Sequence, residues 1–208
     1  SYRFNYIPQN HTDRDDFDRI MALGQAFGAS SATLYARTAA VMDVDNWMRV
    51  FALNVLTGLA DTYNNGLAHN IQLYVRPGDG KVMLFPWDQD HAFYLAPTSS
   101  LYGGSSHRLA AIINLPANRR LYAGHLLDLC QTAFTNDFLD PVITHLHGST
   151  VANRPQYASL FRSYVTNRRN YVLSQIAVQF PQVPFAVTSH SGVGVSTSQP
   201  FATIEGTG

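Results

Sequence analysis

Apolar positions recur at helical spacing through the first quarter of the chain. Phe17, Ile20, Met21 and Leu23 form a stripe that predicts a helix running to about Phe27, with Thr12 or Asp13 as its cap. Gly28-Ala29-Ser30-Ser31 interrupts it, and a short helix over 32–41 follows. Asp43 is placed to cap a stronger helix from Val44 to about Leu59. There Trp47, Met48, Phe51, Val55, Leu56 and Leu59 fall at helical spacings, which predicts burial over a wide face.

The period then changes. Asp61-Thr62-Tyr63-Asn64-Asn65-Gly66 is turn chemistry, because Asn-Gly tolerates positive φ. Asn70 to Val75 alternates as a strand does, Pro77-Gly78-Asp79-Gly80 makes a tight turn, and Val82-Met83-Leu84-Phe85 is a second, more continuously apolar strand. The two predict a β-hairpin. Pro86 ends it, and Trp87-Asp88-Gln89-Asp90 follows at once. Trp87 reads as a core anchor for the loop that carries Asp88.

After a polar loop at 97–106, helices are expected near 107–114, 117–134, 136–147 and 155–178. Asn136 and Asp137 mark a fresh start, and Pro155 sits where a first helical turn tolerates it. From Pro181 onward Val, Ser, Thr and Gly dominate without helical period. The fold class is therefore α+β and mostly helical, with a central β-hairpin and a short β-rich C-terminal tail. Residues 1–180 are expected to form one domain. Residues 181–208 are expected to be a linker or the start of a following β-rich domain.

Composition narrows the function classes. The chain has 208 residues, enough for one sizeable domain, and its Lys and Arg balance its Asp and Glu at 14 each. No basic footprint points to nucleic acid, and no window approaches the roughly 18 apolar residues of a membrane span. The lone cysteine, Cys130, lies in a helical apolar run. It reads as a buried thiol, which leaves no internal disulfide framework and no cysteine zinc cluster. His145-x-His147 does not share one helix face, so it does not suggest zinc either. Lys81 is the only lysine beside thirteen arginines.

The candidate chemistry lies between Asp61 and Asp90. Phosphoryl transfer needs a carboxylate to orient and deprotonate the acceptor hydroxyl. It also needs an amide oxygen and a carboxylate to hold a divalent cation on the phosphates. Asp61 after a buried helix, Asn70 entering the hairpin and Asp88 leaving it supply that order of groups. Oxygen ligands suit Mg²⁺ or Mn²⁺. Asp88 and Asp90 stand two apart, and in an extended stretch both would point to one side, where a cation would relieve their repulsion. Asn65, four residues after Asp61, competes with Asn70 for the metal role. Each group also has a plain structural reading. Asp61 could end its helix and cap the following turn, Asp88 and Asp90 could form a solvated acidic loop, and His69 and His91 could be supporting or surface residues. Arg119, Arg120, Arg168 and Arg169 could touch an acidic substrate, although a solvated helix face suits Arg168 and Arg169 better.

These segments resemble the CotH (spore coat protein H) kinase family. The resemblance rests on Val44-Asp45-Asn46-Trp47, the helix Asn54 to Leu59 running on to Asp61, Asn70-Ile71-Gln72-Leu73-Tyr74, and Phe85-Pro86-Trp87-Asp88-Gln89-Asp90. Pro116, Arg119-Arg120-Leu121 and the Arg168-Arg169 helix add to it, and it spans roughly residues 15–178. It implies the large lobe of an atypical protein-kinase fold and transfer of phosphate from ATP to Ser or Thr of a protein substrate. On this reading Asp61 is the catalytic base, and Asn70, Asp88 and Asp90 are the metal-site residues. It also implies an extracellular, cell-surface or envelope setting, while the composition of the tail beyond Pro181 suggests further domains in the same chain.

The sequence departs from a full kinase pattern in two respects: Asp61 and Asn70 stand nine apart where protein kinases keep five, and the groups that anchor nucleotide phosphates are missing. Lys81 sits at the hairpin turn, and neither Gly24-x-x-x-Gly28 nor Tyr102-Gly103-Gly104-Ser105 makes a convincing phosphate loop. The nucleotide-anchoring half is expected upstream of Ser1 or not at all. If it is absent, the alternative is a kinase-like surface adhesion or binding module.

Overall fold

Asp43 opens the central helix of the fold, where its carboxylate accepts from the Asn46 amide at 3.1 Å. This computed structural model describes residues 6–67, 70–103, 108–148, 155–180, 186–194, 196–199 and 201–207. The first helices are α1 (Asp18–Phe27), α2 (Leu34–Val41) and α3 (Val44–Leu56). Helix α3 is buried on nearly every side: Trp47, Met48, Phe51 and Leu56 are fully enclosed. It packs on α5 (Pro116–Gln131), α7 (Pro155–Gln179) and one face of the hairpin.

The hairpin consists of β1 (Ile71–Val75) and β2 (Val82–Pro86), antiparallel, in register from Ile71 opposite Pro86 to Val75 opposite Val82. Alternation sets its faces. Val82 and Leu84 are buried against the core, while Tyr74 and Phe85 are exposed. Polar groups at the start of α3 stitch β2 to the helix. Trp47 Nε1 donates to the Val82 carbonyl at 2.8 Å, and Asn46 Oδ1 accepts from the Leu84 amide at 2.7 Å. At the turn, Arg76 pairs with Asp79 and with Asp43, each at 2.6 Å, and the Lys81 ammonium donates to the Ala39 carbonyl.

The second half is helical: α4 (Arg108–Ile113), α5, α6 (Asn136–Ile143), a π-helical turn over Thr144–Gly148, and α7. Pro116 and Pro155 begin α5 and α7, where the missing amide hydrogen costs nothing. Thr135 caps α6 by accepting from the Phe138 amide. Cys130 is buried, and burial pushes its thiol up to about 11. In the tail, β3 (Ala186–Val187) and β4 (Gly206–Thr207) form an exposed antiparallel pair.

Several local expectations are corrected. Helix α1 starts at Asp18, so neither Thr12 nor Asp13 caps it. The cap residue is Phe17, and Asp16 Oδ1 accepts from the Asp18 amide instead. Helix α3 stops at Leu56 because Gly58 takes a left-handed conformation at φ 60°. Trp87 is 53 % exposed and anchors no core. Arg168 is 1 % exposed, so it does not lie on a solvated face. The predicted start of the 107–114 helix, His69, His107, and the Gly104-Ser105 part of the glycine-rich loop lie outside the described residues.

Candidate functional site

The chain leaves α3 at Thr57 and turns at Gly58, whose added Cβ would lie 1.9 Å from the Tyr164 hydroxyl. Only glycine lets α7 approach this closely. The loop that follows is held from below by amides. Asn54 Nδ2 donates to Thr62 Oγ1 at 3.2 Å and to Asn64 Oδ1 at 3.3 Å, and all three residues are buried. Asn65 Nδ2 donates back to the carbonyls of Leu59 (3.1 Å) and Ala60 (2.9 Å). Asp61 therefore sits half-buried in a loop whose neighbours on both sides are fixed. It does not end α3, which stops five residues earlier.

Asn70 meets this loop directly. Its Nδ2 donates to the Asp61 carbonyl at 2.9 Å and to Asp61 Oδ2 at 3.2 Å. The amide nitrogen is thus committed to Asp61, and Oδ1 is the atom of Asn70 left to face a cation. The side chain of Asn65 is likewise turned by its nitrogen, but toward the loop's own backbone.

Asp88 lies at the same open end of the hairpin. Ile71 pairs with Pro86, so Asn70 and Trp87 are the next residues along the two strands, and Asp88 follows. Asp88 has φ 52° and Asn70 φ 56°, both left-handed. Asn and Asp enter this region more readily than other non-glycine residues, and such backbone clusters at functional sites. The turn also corrects the extended reading of Asp88 and Asp90. Asp90 belongs to a 3₁₀ turn, Gln89–His91, and its side chain is 66 % exposed with His91 Nε2 3.9 Å away.

The chain then runs back along the Asp61 loop. The Phe93 amide donates to the Thr57 carbonyl at 2.5 Å and the Leu95 amide to the Gly58 carbonyl at 3.0 Å. Phe93, itself at φ 63°, stacks its ring near Phe161 and Tyr164. Arg168 reinforces this junction from α7. Nε and Nη2 donate to the Val55 carbonyl, while Nη1 donates to the carbonyls of Pro97 and Ser99. Between the two segments lies an open cleft of about 410 Å³.

The structure thus joins Asp61 to Asn70 and puts Asp88 two residues beyond the matching strand end. Among the described residues, no group of three or more His, Cys, Asp or Glu is arranged to hold a metal. A cation here would draw on the Asn70 amide oxygen with carboxylates, an oxygen set that suits a hard ion. Lys81 is committed to Ala39 at the far end of the hairpin, so among the described residues no lysine stands ready for nucleotide phosphates. Sequence reasoning missed Asn54, Thr62, Arg168 and the fit of Gly58 against Tyr164. Asn54 had left a trace, as a polar residue at helical spacing among Phe51, Val55 and Leu56.

A family model described as CotH kinase protein matches residues 1–172 of the chain. No curated protein matches it.

Proposed function

The chain belongs to the CotH kinase family, and from that membership we propose that it is the large-lobe portion of a metal-dependent kinase moving phosphate from ATP to Ser or Thr of a protein. The observation that carries this reading is the two-pronged hydrogen bond from Asn70 to Asp61. It couples a carboxylate suited to deprotonation with an amide oxygen suited to a cation, as phosphoryl transfer requires.

In this proposal Asp61 orients the acceptor hydroxyl and takes its proton. The acceptor oxygen bonds to the terminal phosphorus of ATP as the bond to the ADP oxygen breaks. Asn70 Oδ1 and Asp88 hold Mg²⁺ or Mn²⁺, with Asp90 as a further acidic group nearby. The cation supplies charge neutralisation on the phosphates. The nucleotide-anchoring groups are assigned to a part of the protein other than the described residues. Residues 1–180 are the kinase-like domain and residues 181–208 lead toward a further β-rich unit. The setting is the cell surface or envelope.

The test uses the full-length protein with radiolabelled ATP, Mn²⁺ or Mg²⁺ and a mixture of Ser- and Thr-containing proteins. Label should enter protein and be lost in Asp61→Ala and in Asp88→Ala. Full activity in both variants would overturn the site assignment. Absence of both nucleotide binding and transfer in the parent would instead favour a kinase-like adhesion module, the reading to which the commitment of Lys81 to Ala39 lends support.

A further inference from the structure

Asn54 is at odds with its surroundings. It lies in α3 with buried, apolar Phe51, Val55 and Leu56 about it, and is itself only 5 % exposed. Its Nδ2 donates to Thr62 Oγ1 at 3.2 Å and to Asn64 Oδ1 at 3.3 Å. Its Oδ1 is buried and, among the described residues, has no hydrogen-bond partner. A buried acceptor without a donor loses its water and regains nothing. A leucine would continue the apolar helix without that cost, so helix stability does not account for the amide. A buried polar group that breaks a local rule in this way calls for a reason elsewhere, most often in function.

Both acceptors of Asn54 lie in the Asp61 loop, and both are buried. The peptide that joins Asp61 to Thr62 is gripped from two sides. On one side the Asp61 carbonyl accepts from Asn70 Nδ2 at 2.9 Å; on the other, Thr62 Oγ1 accepts from Asn54. The same Asn70 nitrogen also donates to Asp61 Oδ2 at 3.2 Å. If Thr62 swings away from α3, the shared peptide turns, the Asp61 carbonyl leaves Asn70, and the carboxylate is re-aimed. The Thr62 carbonyl accepts from the amides of Asn65 and Leu67 at 3.0 and 3.4 Å, and the Asn54 carbonyl accepts from the Leu59 amide at 3.0 Å. One helix residue therefore fixes the start of the loop by its main chain and the far side of Asp61 by its side chain.

We propose that Asn54 is a positioning residue for phosphotransfer: acting through Thr62, it sets the direction of the Asp61 carboxylate toward the acceptor hydroxyl. The inference rests on the phosphotransfer reading and adds a residue to it. A general base works only within hydrogen-bond reach of the proton it takes, so a small misdirection is felt in turnover and not in binding.

The experiment compares Asn54→Leu, Thr62→Val and Thr62→Ser with the parent, each as full-length protein with ATP, Mn²⁺ and the Ser peptide that the parent labels best in a synthetic array. Rates are expressed per nucleotide-binding site, so that unfolded protein does not count as lost turnover. Asn54→Leu and Thr62→Val should lower kcat by roughly tenfold to a hundredfold, with KM for ATP and peptide within about twofold of the parent. Thr62→Ser keeps the oxygen that Asn54 holds and should retain most of the turnover, whereas the Val variant keeps the shape and loses the oxygen. If Asn54→Leu fails to fold, the Ser and Val pair decides. Full kcat in Asn54→Leu, equal turnover in the Ser and Val variants, or a change in KM alone overturns the inference. In each of those cases loss of transfer in Asp61→Ala keeps the kinase reading. A parent that labels no peptide or protein sinks both readings together.

Discussion

Arg168 donates to the carbonyl of Val55 from two nitrogens, Nε at 3.1 Å and Nη2 at 2.9 Å, across 113 positions of sequence. Its third nitrogen reaches Pro97 and Ser99 at 2.9 and 2.6 Å. Val55 lies in the last turn of α3, whose carbonyls carry the negative end of the helix dipole, so a cation is favoured there. Burial lowers the affinity of this guanidinium for its proton, and the ring of Tyr171 lies 5.7 Å away.

Arg168→Met keeps most of the stem and strands the carbonyls of Val55, Pro97 and Ser99. A loss of about 3 kcal/mol in unfolding free energy is expected from those unsatisfied groups. Arg168→Lys should recover only part of it, because an ammonium lacks the planar fork. Denaturant unfolding measures both. An unchanged midpoint for the Met variant would show that the four bonds contribute nothing net.

Gly58 and Tyr164 make a second test. Gly58→Ala places a methyl group 1.9 Å from the Tyr164 hydroxyl and 2.9 Å from its Cζ, on backbone at φ +60°. A destabilisation of roughly 1–3 kcal/mol is expected. Among the described residues that buried hydroxyl has no hydrogen-bond partner, so Tyr164→Phe alone should be neutral or stabilising. The double variant should regain part of the Gly58→Ala loss. Strict additivity in the double-mutant cycle would mean the two groups do not press on each other.

If Asn70 and Asp88 hold a divalent cation, Mn²⁺ should raise the melting temperature of the protein. At a hundredfold excess over its dissociation constant the expected gain is about 2.7 kcal/mol. Asp88→Ala should abolish the shift and Asp79→Ala, at the far end of the hairpin, should not. Calorimetric melts with and without metal decide it, and an equal shift in the Asp88 variant removes this residue from the site.

Alkaline pH should weaken the fold. Burial pushes the Cys130 thiol from 9.0 to about 11 and the Tyr63 phenol from 10.0 to about 12, and it raises Tyr122 and Tyr164 as well. These groups hold their protons more tightly folded than unfolded. Stability is therefore level below pH 9 and falls as pH climbs toward 11 and then 12. Urea midpoints across that range should decline, and iodoacetamide should modify Cys130 only as fast as the protein opens. Rapid alkylation of the native protein at pH 8 would contradict the buried thiol.

Local signals made much of the fold legible. The stripe from Trp47 to Leu56, the Asp43 cap and the alternation of Val82 to Phe85 each lie within a few residues, and each element formed close to where its pattern lay. The order of Asp61, Asn70 and Asp88 could be read for the same reason. What stayed hidden depended on partners far along the chain. Arg168 looked like surface because nothing near it in sequence announces the carbonyls of Val55, Pro97 and Ser99. Trp87 looked like core because an apolar strand precedes it, yet that strand is already exposed at Phe85 and Pro86 before reaching it. Asp88 and Asp90 looked extended because left-handed backbone at Asp88 leaves no mark in a Trp-Asp-Gln-Asp string.

The closed end of the hairpin is tethered to the junction of α2 and α3. Tight turns on a surface are ordinarily where chains gain or lose residues without penalty. Here the tip from Arg76 to Lys81 is docked on Asp43 and Ala39, and its spacing decides whether Arg76 can grip both Asp43 and Asp79. A relative that lengthens this turn must find a new mooring, or let the whole hairpin drift and carry the separation of Asn70 and Asp88 with it.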